Sequence, residues 1–436
     1  MLILLTHANH LYSDRKQVRK MQPYPPLQTL IAAALLRRDG HRVVFFDCTF
    51  DRDFISSVDT YQPDLIAVCE DNFNFLTKMC LLENRELAFE IAAAARVRGI
   101  PAIVNSSDST NHPQAYLAAG FNRVILGELE GTLSELCRDW QPKPAQIEYD
   151  PARAIVDLDA LPMPAWDLLD IEAYRRAWMD AHGYFSLNLA ASRGCPYRCN
   201  WCAKPVHGDA YRQYSPDRVA AEMECVRDLF APDQLWFADD IFGLSGKWTR
   251  EFAGCVERRG VRTPFRMQSR CDLMTRETVG ALARAGCIEI WMGAESGSQR
   301  ILDAMEKGIR VDQIAEAREN LRRHGIRACL FLQFGYLGED WDDIERTVRM
   351  VRDVRPDDIG VSVSYPMPNT RFHQIVQEHI GAQANWRDSG DLAMMYEGAF
   401  PTEFYRALAD ALHAEVRGGP AAEAWEKVEQ LRCACC

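Results

Sequence analysis

Short apolar runs alternating with helix-patterned stretches, twice along one chain, constrain this sequence more tightly than any other feature. In residues 1–140, Met1–Thr6, Arg42–Phe46, Leu65–Cys69, Ala102–Asn105 and Arg123–Leu126 read as buried parallel strands. Helices such as Leu27–Arg38 and Asn84–Arg98 separate them, and Gly40 and Gly99 close these two helices. The alternation predicts an α/β domain with a doubly wound, Rossmann-like sheet, whose ligand would sit beyond the carboxyl ends of its strands.

From Pro142 to Ala181 the pattern dissolves into Pro142, Pro144, Pro151, Pro162 and Pro164 with acidic residues between them, which predicts a linker over 141–181. Alternation then resumes, with candidate strands Ser186–Ala191, Gln234–Phe237, Arg266–Ser269, Glu289–Met292, Ala328–Phe334 and Gly360–Tyr365. Six such units over 182–370 predict a partial (β/α)6 barrel. Ser215-Pro216, a cap followed by a first-turn proline, starts one of the intervening helices. Residues 371–436 read as a small helical C-terminal region ending in a cysteine-rich tail.

Composition narrows the classes of function. A formal net charge of -12 leaves no basic field to attract a phosphate backbone, so the expected partner is a small molecule or peptide and not nucleic acid. No apolar run approaches the roughly 20 residues of a membrane span. The start Met1–Thr6 lacks the basic flank of a signal peptide, so a cytoplasmic enzyme without a membrane partner is expected. Fifteen cysteines in that setting are expected to be reduced thiols or metal ligands.

Three of them crowd one loop. Cys195-Pro-Tyr-Arg-Cys199-Asn-Trp-Cys202 directly follows the strand at 186–191, and the carboxyl end of a strand is where barrels place their chemistry. Zinc usually takes four tetrahedral ligands, and His207 is the nearby candidate for a fourth. Three thiolates alone suit a four-iron cube with one open iron. A zinc loop, or three incidental buried thiols, is the competing reading.

The loop resembles the CxxxCxφC signature of the radical S-adenosylmethionine (SAM) superfamily, including the aromatic Trp201 before the last cysteine and the leading Arg193-Gly194. The resemblance implies that Cys195, Cys199 and Cys202 bind a [4Fe-4S] cluster whose open iron chelates SAM. One electron, from a donor such as flavodoxin or ferredoxin, would then cleave a carbon–sulfur bond and release a carbon radical. It further implies that Asp239, in Trp236-Phe-Ala-Asp239-Asp240, accepts a hydrogen bond from the SAM ammonium, a helix-capping pair being the alternative. Arg270, ending the third strand, would pair with the SAM carboxylate in a bidentate fork, a surface arginine being the alternative. Met292-Gly-Ala-Glu295-Ser296-Gly297 is similar to the family's Gly-x-Glu-Ser-Gly segment, which implies that Glu295 holds ribose hydroxyls and that Ser296 lies in the same site. Gln333-Phe-Gly335 and Tyr365-Pro-Met-Pro368-Asn-Thr370 match the region flanking adenine.

The N-terminal domain resembles the cobalamin (B12)-binding type found in some radical SAM proteins, through Tyr24-Pro-Pro-Leu27, the strand ending at Asp47 and Leu126-Gly-Glu-Leu-Glu130. Two departures bear on the cofactor. There is no Asp-x-His-x-x-Gly to supply a lower axial histidine, and His7, His10 and His112 read as loop residues. In addition, Asn105-Ser-Ser-Asp-Ser-Thr-Asn-His112 stands where relatives carry glycines, so the serines and Asp108 are expected to crowd a flat corrin. At the other end, Arg432-Cys433-Ala-Cys435-Cys436 gathers three soft thiols that suit a thiophilic centre such as trivalent arsenic. With the rest of the layout, this resembles radical SAM enzymes of arsinothricin biosynthesis. That resemblance implies transfer of the 3-amino-3-carboxypropyl group of SAM to arsenic held by the tail. A tail without any site, a second iron–sulfur cluster on the tail, cobalamin-dependent methyl transfer to an unactivated carbon or phosphorus, and a non-catalytic metal or corrinoid sensor are the alternatives.

Overall fold

The computed structural model describes residues 1–141, 144–150, 153–382 and 385–434. The chain forms two compact units, one of residues 1–195, 204–238 and 385–391, the other of residues 196–203, 239–384 and 392–436. The first unit is built on six parallel strands: β1 (Leu2–Thr6), β2 (Arg42–Phe46), β3 (Leu65–Cys69), β4 (Ala102–Asn105), β5 (Arg123–Ile125) and β6 (Gln146–Glu148). They lie in the order β2-β1-β3-β4-β5-β6, with Ile3 of β1 opposite Val43 on one side and Leu65 on the other.

Successive side chains of these strands enter two different cores. Leu4, Ile66, Val68, Val104 and Val124 join Ile91 and Ala95 in one. Ile3, Leu5, Ala67, Ile103 and Ile125 join Leu36 and Leu133 in the other. Because both faces are covered by helices, each strand must be apolar throughout, which is why these segments read as continuous runs. The strand order reverses between β1 and β3, so the crevice of this sheet opens where His7 and Ala8 face Glu70, Asp71 and Asn72.

The stretch read as a linker carries more structure than its prolines suggest. It supplies edge strand β6 and the helix Ile171–His182, which buries Tyr174 and Trp178 one turn apart and ends at left-handed Gly183 (φ 73°). A three-residue edge strand holds too little pattern for periodicity to detect. The helix did leave a signal, in its aromatic pair at i, i+4 and the glycine just past its end.

The chain continues through β7 (Ser186–Leu189), the antiparallel pair β8 (Ser192–Arg193) and β9 (Arg212–Gln213), β10 (Gln234–Phe237), β11 (Phe265–Ser269), β12 (Cys287–Glu295), β13 (Arg327–Phe334) and β14 (Asp358–Val363). Six of these make the second sheet in the order β7-β10-β11-β12-β13-β14, each neighbour following in chain order, as a partial barrel requires. The pairs β7/β10, β11/β12, β12/β13 and β13/β14 are parallel. Ser215 caps the helix Pro216–Phe230 by accepting from Arg218 N at 3.2 Å, as predicted.

Helices Arg371–Val376, Thr402–Val416 and Ala422–Cys433 fill the C-terminal region. Residues 385–391 instead fold with the first unit: Leu82 N donates to Trp386 O (3.0 Å), Ser389 N donates to Asp14 Oδ2 (2.9 Å) and Gln17 Nε2 donates to Ser389 Oγ (2.9 Å). Among the described residues, no helix is long and apolar enough to cross a membrane.

Candidate active site

The cysteine loop begins in the first unit. Arg193 is fully buried and bonds Glu130 Oε1 through Nη2 at 2.6 Å, with its guanidinium 5.7 Å from the Phe73 ring. Gly194 has φ +75°, and a Cβ there would fall 2.5 Å from the carbonyl oxygen of Ala210, so this position excludes any side chain. Cys195 is then fixed by its backbone: its N–H donates to Gly208 O (3.3 Å) and its carbonyl accepts from Lys204 Nζ (2.8 Å). The Leu126–Glu130 segment supplies the counter-charges. Glu128 takes Arg212 and His207, whose Nδ1 lies 3.4 Å from Glu128 Oε1; burial alone would raise the Glu128 carboxyl, but these partners hold it far below the usual range. His207 is therefore engaged in this network.

The rest of the loop belongs to the second unit, where cations meet it. Arg270, only 5% exposed, bonds Asp272 through Nε (2.9 Å) and donates from Nη2 to the Lys307 carbonyl (2.9 Å). Its guanidinium lies 3.7 Å from the Tyr197 ring centroid, and its Nη1 stands 4.0 Å from Cys199 Sγ. Burial opposes the charge of Arg270, but Asp272 more than offsets this and raises its pKa. The alternative of a surface arginine is thus corrected: Arg270 is buried against the loop. Trp201 packs against Ile301, Met305 and Phe372, and its indole N–H is buried without a partner.

Glu295 owes its position to a local irregularity. The β12–β13 register shifts between Gly293 and Glu295, and Glu295 itself adopts φ +59°, a conformation costing roughly 1–2 kcal/mol for a residue with a side chain. Buried Glu295 accepts from the ammonium of buried Lys307 at 2.7 Å. Gly293 makes room for the pair, since a Cβ there would lie 2.5 Å from both Glu295 Oε1 and Lys307 Nζ. Lys307 carries no motif signal in the sequence beyond its place before Gly308, and it was missed.

The remaining expected site residues are placed as follows. Asp239 is fully buried just past β10, and its carbonyl accepts from Gln268 Nε2 at 2.6 Å. Ser296 Oγ lies 3.1 Å from Thr347 Oγ1 and accepts from Ser298 N, which ties the turn to the helix Trp341–Val354. Gln333 Nε2 donates to Ser364 Oγ at 2.8 Å. Cys433 is exposed as the last residue of the final helix, and Cys435 and Cys436 lie outside the described residues.

These surroundings fit a cluster. Thiolate-ligated iron gains from nearby cations and from N–H donors to its sulfurs, and Arg270, Lys307 and the unmatched Trp201 indole supply both. Among the described residues, no three His, Cys, Asp or Glu side chains converge as they would around a single ion. A four-iron cube holds its thiolates farther apart than one ion does.

The crevice of the first sheet is polar and buried. Ala8 N donates to Glu70 Oε1 (2.7 Å), Gln28 N to Asp71 Oδ1 (3.2 Å), and Asn72 Nδ2 to Gln28 Oε1 (3.0 Å). Burial pushes Glu70 up to about 7 and Asp71 up to about 6. Glu70 Oε2 and Gln28 Nε2 are left buried without partners. His7 binds Asp47 through Nε2 (2.9 Å) and accepts from Asn9 N at Nδ1 (3.2 Å), so neither ring nitrogen remains for cobalt. His10 Nδ1 bonds Cys48 O at 2.8 Å, and His112 lies 4.0 Å from Asp108.

The side chains expected to crowd a corrin are buried and hydrogen-bonded. Ser106 and Ser109 close a capping box on each other, Ser107 donates to Asn72 Oδ1 (3.1 Å), and Asp108 is held by Arg85 and Tyr116. Each polar group is consumed inside its own domain. The unmatched acceptor on Glu70 and donor on Gln28 fit a corrin's rim of amides, which offers both hydrogen-bonding senses.

Residues 189–351, which hold the cysteine loop and strands β8 to β13, match the family model of the radical SAM superfamily. Over about four fifths of its length the chain is also similar to two curated proteins. An uncharacterized methyltransferase of Pyrococcus horikoshii is 23% identical over 386 residues, 83% of this chain and 81% of that one. The hopanoid C-3 methylase of Methylococcus capsulatus is 26% identical over 370 residues, 79% of this chain and 67% of that one. Among solved structures, the radical SAM methyltransferase TsrM from Kitasatospora setae, with cobalamin and a [4Fe-4S] cluster bound, superposes with a TM-score of 0.68 at 19% identity, covering 86% of this chain and 78% of that one. This last likeness shows the shared fold.

Proposed function

We propose that this protein is a cobalamin-dependent radical SAM transferase that moves a methyl group from SAM to a small-molecule acceptor. The observation that carries the reading is the buried crevice of the first sheet, where Glu70 Oε2 and Gln28 Nε2 await partners on a chain whose cysteine loop is furnished for a cluster. When bound, the cluster and SAM supply one-electron cleavage of a carbon–sulfur bond, and the corrin supplies a carrier for the methyl group.

The chain's own residues hold and orient these groups. Cys195, Cys199 and Cys202 ligate iron, and Gly194 with the Arg193–Glu130 pair fixes where Cys195 emerges. Arg270 orients the SAM carboxylate from beside Cys199, and Asp239 and Glu295 take its ammonium and ribose. Ser296 and Gln333 support the sheet ends around them. A flavodoxin- or ferredoxin-type protein delivers the electron.

Names of the similar proteins favour methyl transfer over aminocarboxypropyl transfer to arsenic, the reading first drawn from the tail, since the first two are a methyltransferase and a methylase. The test is anaerobic reconstitution with iron, sulfide and hydroxocobalamin, followed by SAM and dithionite with and without arsenite, and mass spectrometry of the products. One corrin per chain, with deoxyadenosine and S-adenosylhomocysteine, is expected. Methylthioadenosine with an aminocarboxypropyl product would overturn methyl transfer and restore the arsenic reading.

A further inference from the structure

The short turn between the helices Gln299–Ala304 and Val311–Arg322 grips the cysteine loop at several points. Asn200, between Cys199 and Cys202, donates from its backbone N–H to Met305 O (3.0 Å) and from Nδ2 to Ala304 O (2.7 Å). Tyr336 holds the other end of that side chain, donating to Asn200 Oδ1 at 3.1 Å. Arg270, beside Cys199, donates to the carbonyl of Lys307 in the same turn. Lys307 is only 7% exposed, and its ammonium lies 6.0 Å from the ring centroid of Trp201.

A lysine is rarely buried, because its compact ammonium loses strong hydration. Here burial is tolerated through Glu295, which is itself placed by a strained bulge and by the absence of a side chain at Gly293. Three local features thus combine to keep one cation out of water beside the cysteines. Inside a protein a charge acts over such distances far more strongly than in solvent, and a cation stabilises a neighbouring centre that gains an electron.

We propose that Lys307 raises the reduction potential of the cluster, with its ammonium stabilising the added electron while the Ala304–Gly308 turn holds it against the loop. The inference rests on the cluster assignment above. The step is a single-electron transfer: a low-potential donor protein, or dithionite in the experiment, is oxidised, the cluster is reduced, and Lys307 keeps its protons throughout. Lys307 is a positioning and electrostatic residue, distinct from the iron ligands.

The test is a redox titration of the reconstituted protein followed by electron paramagnetic resonance, alongside iron and sulfide analysis. In Lys307→Met the reduced-to-oxidised ratio at the wild-type midpoint should fall about tenfold, equivalent to about 59 mV for one electron, with iron content unchanged. Because that variant strands Glu295, the double variant Lys307→Met/Glu295→Gln serves as the control and should show a smaller drop of the same sign. An unchanged midpoint in both variants at full iron content would overturn the inference, as would loss of iron from both, which would make the role structural. Failure of the wild-type protein to assemble a four-iron cluster would sink the functional reading itself.

Discussion

The carboxyl ends of the two parallel sheets are built from similar strand–helix connections, yet they bury charge in opposite ways. In the first sheet, Glu70 and Asp71 are buried with mainly backbone donors, and burial pushes them up to about 7 and about 6. In the second, buried Lys307 and Arg270 stand beside the cysteine loop, each matched by a carboxylate. Acids buried without a matched cation drift toward neutrality and suit an uncharged, amide-rich ligand. Permanent cations suit an anionic ligand, which under the proposed function would be thiolate-bound iron and the carboxylate of SAM. One architecture therefore yields two kinds of site through the side chains at its strand ends.

The comparison can be broken most severely at the second sheet. Cys202→Ala should abolish SAM cleavage to background and lower bound iron, as read by deoxyadenosine formation and iron analysis; retained cleavage would remove the cluster from that loop. Next comes the anchor of the loop. Arg193→Met strands buried Glu130 and should destabilise the first unit by about 3–5 kcal/mol in denaturant unfolding, as is usual when one partner of a buried pair is removed.

The first sheet answers to pH. The folded pKa of Glu70 is raised to about 7 from an ordinary 4.5, so between these values the folded state binds more protons than the unfolded state. Stability contributed by this group is therefore full below pH 4.5, falls as pH rises, and is gone above 7. Glu70→Gln should flatten that slope and stabilise the ligand-free protein at pH 8 by roughly 3 kcal/mol, the value of such a shift in a fully buried group. Equal slopes for the variant and wild type would show that Glu70 is not the neutral acid of this crevice. The smallest effect is expected far from both sites. Arg352→Ala breaks an exposed pair with Glu415 at 2.7 Å and should cost less than about 1 kcal/mol in thermal unfolding.

Strands with a continuous apolar run, such as Leu65–Cys69, were legible because burial on both faces leaves no polar positions to blur the pattern. Edge strand β6 was not, since three residues among prolines carry no period. The cysteine loop and the expected positions of Arg270 and Glu295 were visible as motifs. Lys307 was not, because its importance comes from a turn between two helices that approaches the loop only after folding. The serines at 106–109 were visible as residues, whereas their hydrogen bonds to one another and to Asn72 were not.

By itself the sequence determined the longer buried strands, that three thiols share one loop, and that Gly194 precedes the first of them, because these follow from local pattern and covalent order. Tertiary structure decided which charges are buried and with whom. Glu130 meets Arg193 across 63 residues, and Glu295 meets Lys307 only because a bulge turns one and a vacant Gly293 admits the other. Burial and pairing are properties of neighbours in space, and it is these that set the charge of each site.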